Sequence, residues 1–260
     1  MKRMHALSIA LLLGTLIANP AAAAVINGDF AAGLTGWDSL GDVAVSAGAA
    51  RLSTASLDVD DFPAAAGAFN LSGNAAAPVG QPGGVEEFAG LALGQLDPDP
   101  LNGSWAFEGS ALRQTLAVRA GDTLSFDWGL GSNEDPLIGM NDYAFVVIGG
   151  VLTVLDDVFT GLGSGRFTHT FATAGSVDLV FGVVDTGDYV GSSWLSIDNA
   201  QLAPPAPCPN PAPWPSASPA SACWPTACAA RAESPPVGSN SFDRGLPVTG
   251  LPVIQAAEVE

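Results

Sequence analysis

An all-β sandwich is predicted for residues 25–203 on two observations. Short runs of alternating apolar and polar side chains recur along the stretch, and Gly, Asn and Asp punctuate them. From Thr123 to Trp128, Leu124, Phe126 and Trp128 fall on one face, with Thr123, Ser125 and Asp127 on the other. From Arg166 to Phe171, Phe167, His169 and Phe171 alternate with Arg166, Thr168 and Thr170. From Ser176 to Val184 the inward set is Val177, Leu179, Phe181 and Val183.

The remaining strands expected in chain order are Val25–Phe30, Ala50–Leu57, Ser104–Phe107, Ala111–Val118, Tyr143–Ile148, Val151–Leu155 and Trp194–Leu202. Gly149-Gly150 predicts a two-residue hairpin, and Ala120-Gly121-Asp122 a turn. Residues 85–93 (VEEFAGLAL) break the pattern. Their apolar residues have helical spacing between Gly/Pro-rich flanks, which predicts a short helix inserted in a surface loop. No fixed-period repeat runs through the chain.

A stretch of this size buries roughly 70% of the surface its unfolded chain exposes, so it needs no staples. It contains no cysteine, which excludes thiol chemistry and cysteine-ligated zinc within it. It carries 22 acidic side chains against four arginines (Arg51, Arg113, Arg119, Arg166) and no lysine, a formal charge of −18. Nucleic acid and anionic lipid are thereby excluded as partners, because phosphate binding needs cations to displace counterions. The acidity serves solubility, and some of the carboxylates are candidates for calcium.

The ends of the chain carry a different kind of signal. Met1–Ala24 has a basic start (Lys2, Arg3), an apolar run from Ala6 to Ile17 and a closing Ala22-Ala23-Ala24, which reads as a secretory signal peptide cleaved after Ala24. The run is shorter than the ~20 apolar residues that span a bilayer. Residues 204–260 read as a disordered Pro/Ala/Ser-rich tail holding Cys208, Cys223 and Cys228. If each codon from Pro207 to Arg231 is begun at its third base, however, the same DNA permits Val-Pro-Glu-Pro, then an apolar span, then arginines. The Leu from Cys223/Trp224 and the Ala from Trp224/Pro225 are forced by the genetic code. This resembles the PEP-CTERM sorting signal of exported proteins in Gram-negative, exopolysaccharide-making bacteria. The resemblance implies a frame slip near residues 203–207, a location at the cell surface, outer envelope or matrix, and a membrane contact only through the sorting helix of the restored frame.

Within the domain, Asn27-Gly28-Asp29-Phe30 with Gly33-Leu34-Thr35-Gly36-Trp37 resembles the opening of galactose-binding-like jelly rolls, which include many carbohydrate-binding modules. Residues 194–202 (WLSIDNAQL) resemble their last strand. Between them, the segments 108–111, 113–116, 124–128, 132–134, 141–146 and 181–188 are similar to a recurrent domain of PEP-CTERM proteins. The resemblance implies a jelly-roll β-sandwich and exopolysaccharide or another surface glycan as partner. It also implies a structural calcium ion shared by Asp29 and Asp198, for which two carboxylates are a beginning, since calcium takes six to eight oxygens.

Other candidates are weaker. Asp156-Asp157, Asp185 with Asp188, and Asp58, Asp60 and Asp61 lack the ladder of an EF-hand, as does Asp97-Pro98-Asp99, and read as solvated loop carboxylates. Trp128 reads as core; Trp37 and Trp105 stay open between core and sugar platform. His169, the one histidine after signal cleavage, alternates with two phenylalanines and reads as a packed strand residue. No nucleophile elbow, metalloprotease helix or nucleotide loop is present, and no carboxylate pair stands out as a glycosidase pair. The expectation is a non-catalytic, exported, glycan-binding or adhesive matrix protein.

Overall fold

The computed structural model describes residues 24–58, 64–98, 104–134 and 140–205. The expected signal peptide lies outside them except for Ala24, and so does the tail beyond Pro205 with its three cysteines and the sorting segment. In chain order the elements are β1 (Asp38–Leu40), β2 (Asp42–Ser46), β3 (Ala49–Ser53), β4 (Ala77–Pro78), α1 (Val85–Phe88), β5 (Ala106–Val118), β6 (Thr123–Ser132), β7 (Tyr143–Ile148), β8 (Val151–Asp157), β9 (Ser164–Thr170), β10 (Gly175–Thr186) and β11 (Ser193–Ala203).

They form two antiparallel sheets, as predicted. One runs β1-β5-β10-β7-β8, with β4 also on β5; the other runs β2-β3-β11-β6-β9. From β5 onward the chain passes repeatedly from one sheet to the other, which is the wrapping of a jelly roll. The β7–β8 hairpin turns on Gly149 (φ 58°) and Gly150 (φ 81°), the left-handed pair that a type I′ turn requires. Ala47 (φ 53°) and Gly48 (φ 82°) do the same between β2 and β3. Among the described residues no helix is long and apolar enough to cross a membrane.

The inner core lies between the sheets. The alternating residues predicted for β6 and β10 supply it: Leu124, Phe126, Leu179, Phe181 and Val183 are all buried there, with Leu52, Leu112, Leu195 and Ile197. Phe126 meets Phe181 edge-on at 4.6 Å between centroids and stacks on Phe167 at 4.9 Å. A second core explains why β7 reads YAFVVI with no polar alternation. Tyr143, Phe145, Val147, Val180 and Val184 point out of the opposite face of the sheet, and Val79, Val85, Ala89 and Leu96 of the 77–98 segment close over them. A sheet covered on both faces has no use for a polar side, so its central strands read as apolar runs.

Four differences from the sequence reading have local causes. Residues 25–30 form turns instead of a strand, because Asn27 and Phe30 adopt positive φ (50° and 52°). The Asn27 side chain holds that conformation: its Nδ2 donates to Gly33 O (2.8 Å) and Thr35 O (3.2 Å), and its Oδ1 accepts from Ala32 N (3.0 Å). The helix expected over 85–93 is only Val85–Phe88, since the chain turns left-handed at Gly90 (φ 69°). The strands expected at Ser104–Phe107 and Ala111–Val118 are one strand, β5, because Gly109 pairs in register with Val184 and breaks nothing. Finally, β1, β2 and β4 were not expected; they are two to five residues long and too short to show a period.

Candidate functional site

Asp29 and Asp198, for which the galactose-binding-like resemblance implies a shared calcium ion, stand at the junction of the opening segment and the last strand. Ala200 N donates to Gly28 O at 2.9 Å across that junction. A Cβ on Gly28 would collide with the Ala200 carbonyl, so glycine is required for this approach. Asp29 is exposed and its Oδ1 accepts from Ala31 N at 3.3 Å; Asp198 Oδ1 accepts from Asn199 N at 2.6 Å. Asp29 lines a shallow hollow with Asn27, Gly28 and Asn199, and Asp198 is not part of its lining.

Three other acidic side chains converge elsewhere in the domain. Glu134 follows β6, Asp142 precedes β7, and Asp185 sits near the end of β10, at the register shift in its pairing with β5. One carboxylate oxygen from each lies within 4.8 Å of the other two. Asp142 has no exposed surface: Oδ1 accepts from Thr186 N (2.9 Å) and Oδ2 from Ser193 Oγ (2.6 Å). Asp185 is 1% exposed, and neither of its carboxylate oxygens has a hydrogen-bond partner; nor has the hydroxyl of buried Thr186 beside it. Gly191, at φ 97°, leaves free the space in which the Glu134 carboxylate sits, where a Cβ would collide with it.

This corrects the reading of Asp185 as a solvated loop carboxylate. β10 continues through Thr186, so Asp185 is a strand residue inside the sheet and not part of the loop that follows. Burial pushes the Asp142 carboxyl up, against the hydrogen bonds from Ser193 and Thr186 that favour its charged form. Burial pushes Asp185 up much further, and the charges acting on it, from Asp142, Glu134, Glu108 and Asp188, all raise it again. The sequence held one signal of this cluster. Asp142 opens the apolar run of β7 and Asp185 closes that of β10, so each is an acid placed where the pattern still demands burial.

A different feature lies at the start of β5. Trp105, 50% exposed, and Tyr189, 49% exposed, line one groove with Gln81, Leu93, Asp97 and Phe107. Its volume is about 510 Å³. Tyr189 leans on Phe107 at 4.8 Å between centroids, and Gly187 N donates to Trp105 O at 2.9 Å, which ties the two aromatic-bearing segments together. The opposite wall is fixed from below. Buried Glu86 accepts from Gly94 N and Leu96 N, both at 2.9 Å, the Tyr143 hydroxyl donates to Leu96 O, and Asp97 Oδ1 accepts from Ala106 N at 3.0 Å. Burial, with the Asp97 and Glu86 charges nearby, holds the Tyr143 hydroxyl protonated well above its usual range.

The other aromatic candidates divide. Trp37 is core, packed against Phe30 and Phe181 at 5.4 and 5.7 Å. Trp128 is half-buried against the same core, as expected. Trp194 stacks on Phe69 at 5.9 Å. His169 packs edge-on to Phe171 at 4.8 Å, consistent with a strand residue. Asp156 accepts from Thr160 Oγ1 and Gly163 N, both at 2.8 Å, and Asp157 from Thr160 N at 2.8 Å, so this pair shapes a turn. Asp60, Asp61 and Asp99 lie outside the described residues.

No protein-family model matches the chain, and no curated protein matches it. Among solved structures, a CBM4 carbohydrate-binding module is similar over 69% of this chain and 98% of its own, at 11% identity and a TM-score of 0.32. A CBM61 module solved in complex with β-1,4-galactotriose is similar over 38% of this chain and 67% of its own, at 17% identity and a TM-score of 0.25.

Proposed function

We propose that this protein is a non-catalytic, exported glycan-binding domain that holds sugar in the Trp105–Tyr189 groove and associates with a surface or matrix polysaccharide. The carrying observation is the pair of half-exposed aromatic rings at one groove, beside the amide of Gln81 and the carboxylate of Asp97. A sugar ring offers an apolar face for stacking and hydroxyls for an amide or carboxylate, and the groove supplies both. Its volume falls in the ~300–1,000 Å³ range of small-molecule sites. A preorganised wall favours binding, because less ordering is left to the ligand's account. Sorting to the cell surface rests on the signal peptide and the PEP-CTERM resemblance.

The test is calorimetric titration of the full chain with β-1,4-galactotriose and with polysaccharide isolated from the producing bacterium, with affinity electrophoresis in parallel. Trp105→Ala and Tyr189→Ala are each expected to weaken binding by tenfold or more, about 1.4 kcal/mol, while leaving the melting temperature within a degree or two, since both rings are half-exposed. Absence of heat and of retention with every sugar overturns the reading and leaves an adhesive matrix protein without a small ligand.

A further inference from the structure

We propose that Glu134, Asp142 and Asp185 form a binding site for a hard divalent cation of the calcium type, distinct from the Asp29–Asp198 junction and independent of any sugar. Three carboxylates from three separate chain segments converge within 4.8 Å. Like charges at that separation repel, and burial strengthens the repulsion. Asp185 makes the site more than a cluster of acids. It is 1% exposed, both its oxygens lack a hydrogen-bond partner, and one of them faces the other two carboxylates. Buried polar groups are almost always satisfied, so an orphaned carboxylate at such a convergence marks the place of a missing partner. Thr186 Oγ1, buried and also without a partner, is next to it in the chain.

The donors select the ion. All are oxygens and three are anionic, which suits calcium, magnesium or manganese and not a thiolate- or imidazole-seeking metal. Asp142 is held in place by Thr186 N and Ser193 Oγ, as a ligating carboxylate usually is by its own hydrogen bonds. Each of its oxygens keeps a lone pair for the ion. Asp185, having no other engagement, is free to bind through both oxygens. Calcium tolerates such mixed denticity and irregular geometry, whereas magnesium demands a near-ideal octahedron at shorter distances. The ion would join the end of β6, the start of β7 and the end of β10, three strands drawn from both sheets.

The experiment is thermal unfolding of the full chain, stripped with chelator, across a series of calcium chloride concentrations. The melting temperature is expected to rise with calcium, the folded-to-unfolded ratio gaining about a hundredfold at one hundred times the dissociation constant. Asp185→Asn should abolish the rise, because the amide has no anionic oxygen to offer the ion. Glu134→Gln serves as the second variant and should weaken the calcium response at least tenfold. Asp198→Asn should leave it intact. The proposal is overturned if the stripped wild type does not respond up to about 10 mM calcium, beyond the range of weak extracellular sites. It is equally overturned if Asp185→Asn responds as the wild type does, or if the response is lost in Asp198→Asn and kept in Asp185→Asn, which would put the ion at the first-to-last-strand junction.

Discussion

Asp42 is an acid with no exposed surface, and its carboxylate is engaged four times. It accepts from Leu71 N at 2.8 Å, Ser72 N at 2.7 Å, Ser72 Oγ at 2.6 Å and the hydroxyl of Ser53. One side chain at the start of β2 thus ties down a loop some thirty positions away in sequence. Asp42→Ala would leave the buried Ser53 hydroxyl, and the Leu71 and Ser72 donors of part-buried bonds, without an acceptor, at ~1–3 kcal/mol for each that water cannot reach. We expect a total loss of about 2–4 kcal/mol, read as a lower urea midpoint with an unchanged slope. Asp42 and Asp185 are equally buried and oppositely provided for, one saturated with donors and the other with none. The sequence does not say which of them is provided for, because the donors that saturate Asp42 come from a loop some thirty positions away. Gly182 is a similar case. It pairs with Phe145, whose ring occupies the space a Cβ would need, yet in sequence it is a glycine inside an apolar run.

At the level of elements, β6, β9 and β10 were legible because each alternates over six residues or more, and alternation is what a half-buried strand looks like in sequence. The opening segment was not, since its conformation is set by the Asn27 side chain and not by hydrophobic period. The candidate site was legible least of all. In sequence Trp105 stays open between core and platform, while Tyr189 and the triad depend on which segments the topology brings side by side. On the face of the second sheet, Asp127 of β6 bridges both neighbouring strands. Its Oδ2 accepts from Asn199 Nδ2 of β11 at 2.9 Å, and its Oδ1 accepts from Arg166 Nη1 of β9 at 2.7 Å. The Asn199 hydrogen bond first, and then Arg166, hold its carboxyl below the usual aspartate value. A depressed folded value means that stability is present above the unfolded value and lost as pH falls. Asp127→Asn is therefore expected to be less stable than wild type near neutral pH, with the difference shrinking as pH drops below about 3.8. Urea midpoints measured between pH 7 and 3 check it.

For the whole molecule, the two cores divide the work. The inner one joins the sheets and is encoded by period two; the outer one exists only because the 77–98 segment folds back over β5, β7 and β10. That cover also builds one wall of the proposed sugar groove, so the groove stands on a structural necessity of the fold and not on a free loop. A domain with 22 acids and four arginines repels itself, and three of those acids, the triad, are crowded together within it.

The pairing of β10 with β5 runs from Gly175–Val118 to Thr186–Ala106, while β10 is bonded to β7 along its other edge. From Leu179 to Val184 this strand is buried and flanked by a bonded neighbour on each side, so exchange of these amides with deuterated water should report opening of the entire domain. The opening segment is joined to the last strand by Ala200 N–H to Gly28 O, and Ile26 to β5 through the Gln114 side chain. Residues 25–30 should then take up deuterium orders of magnitude sooner than Val180 or Phe181. Mass-resolved exchange would show a molecule that loosens first at its beginning and holds longest along its middle strand.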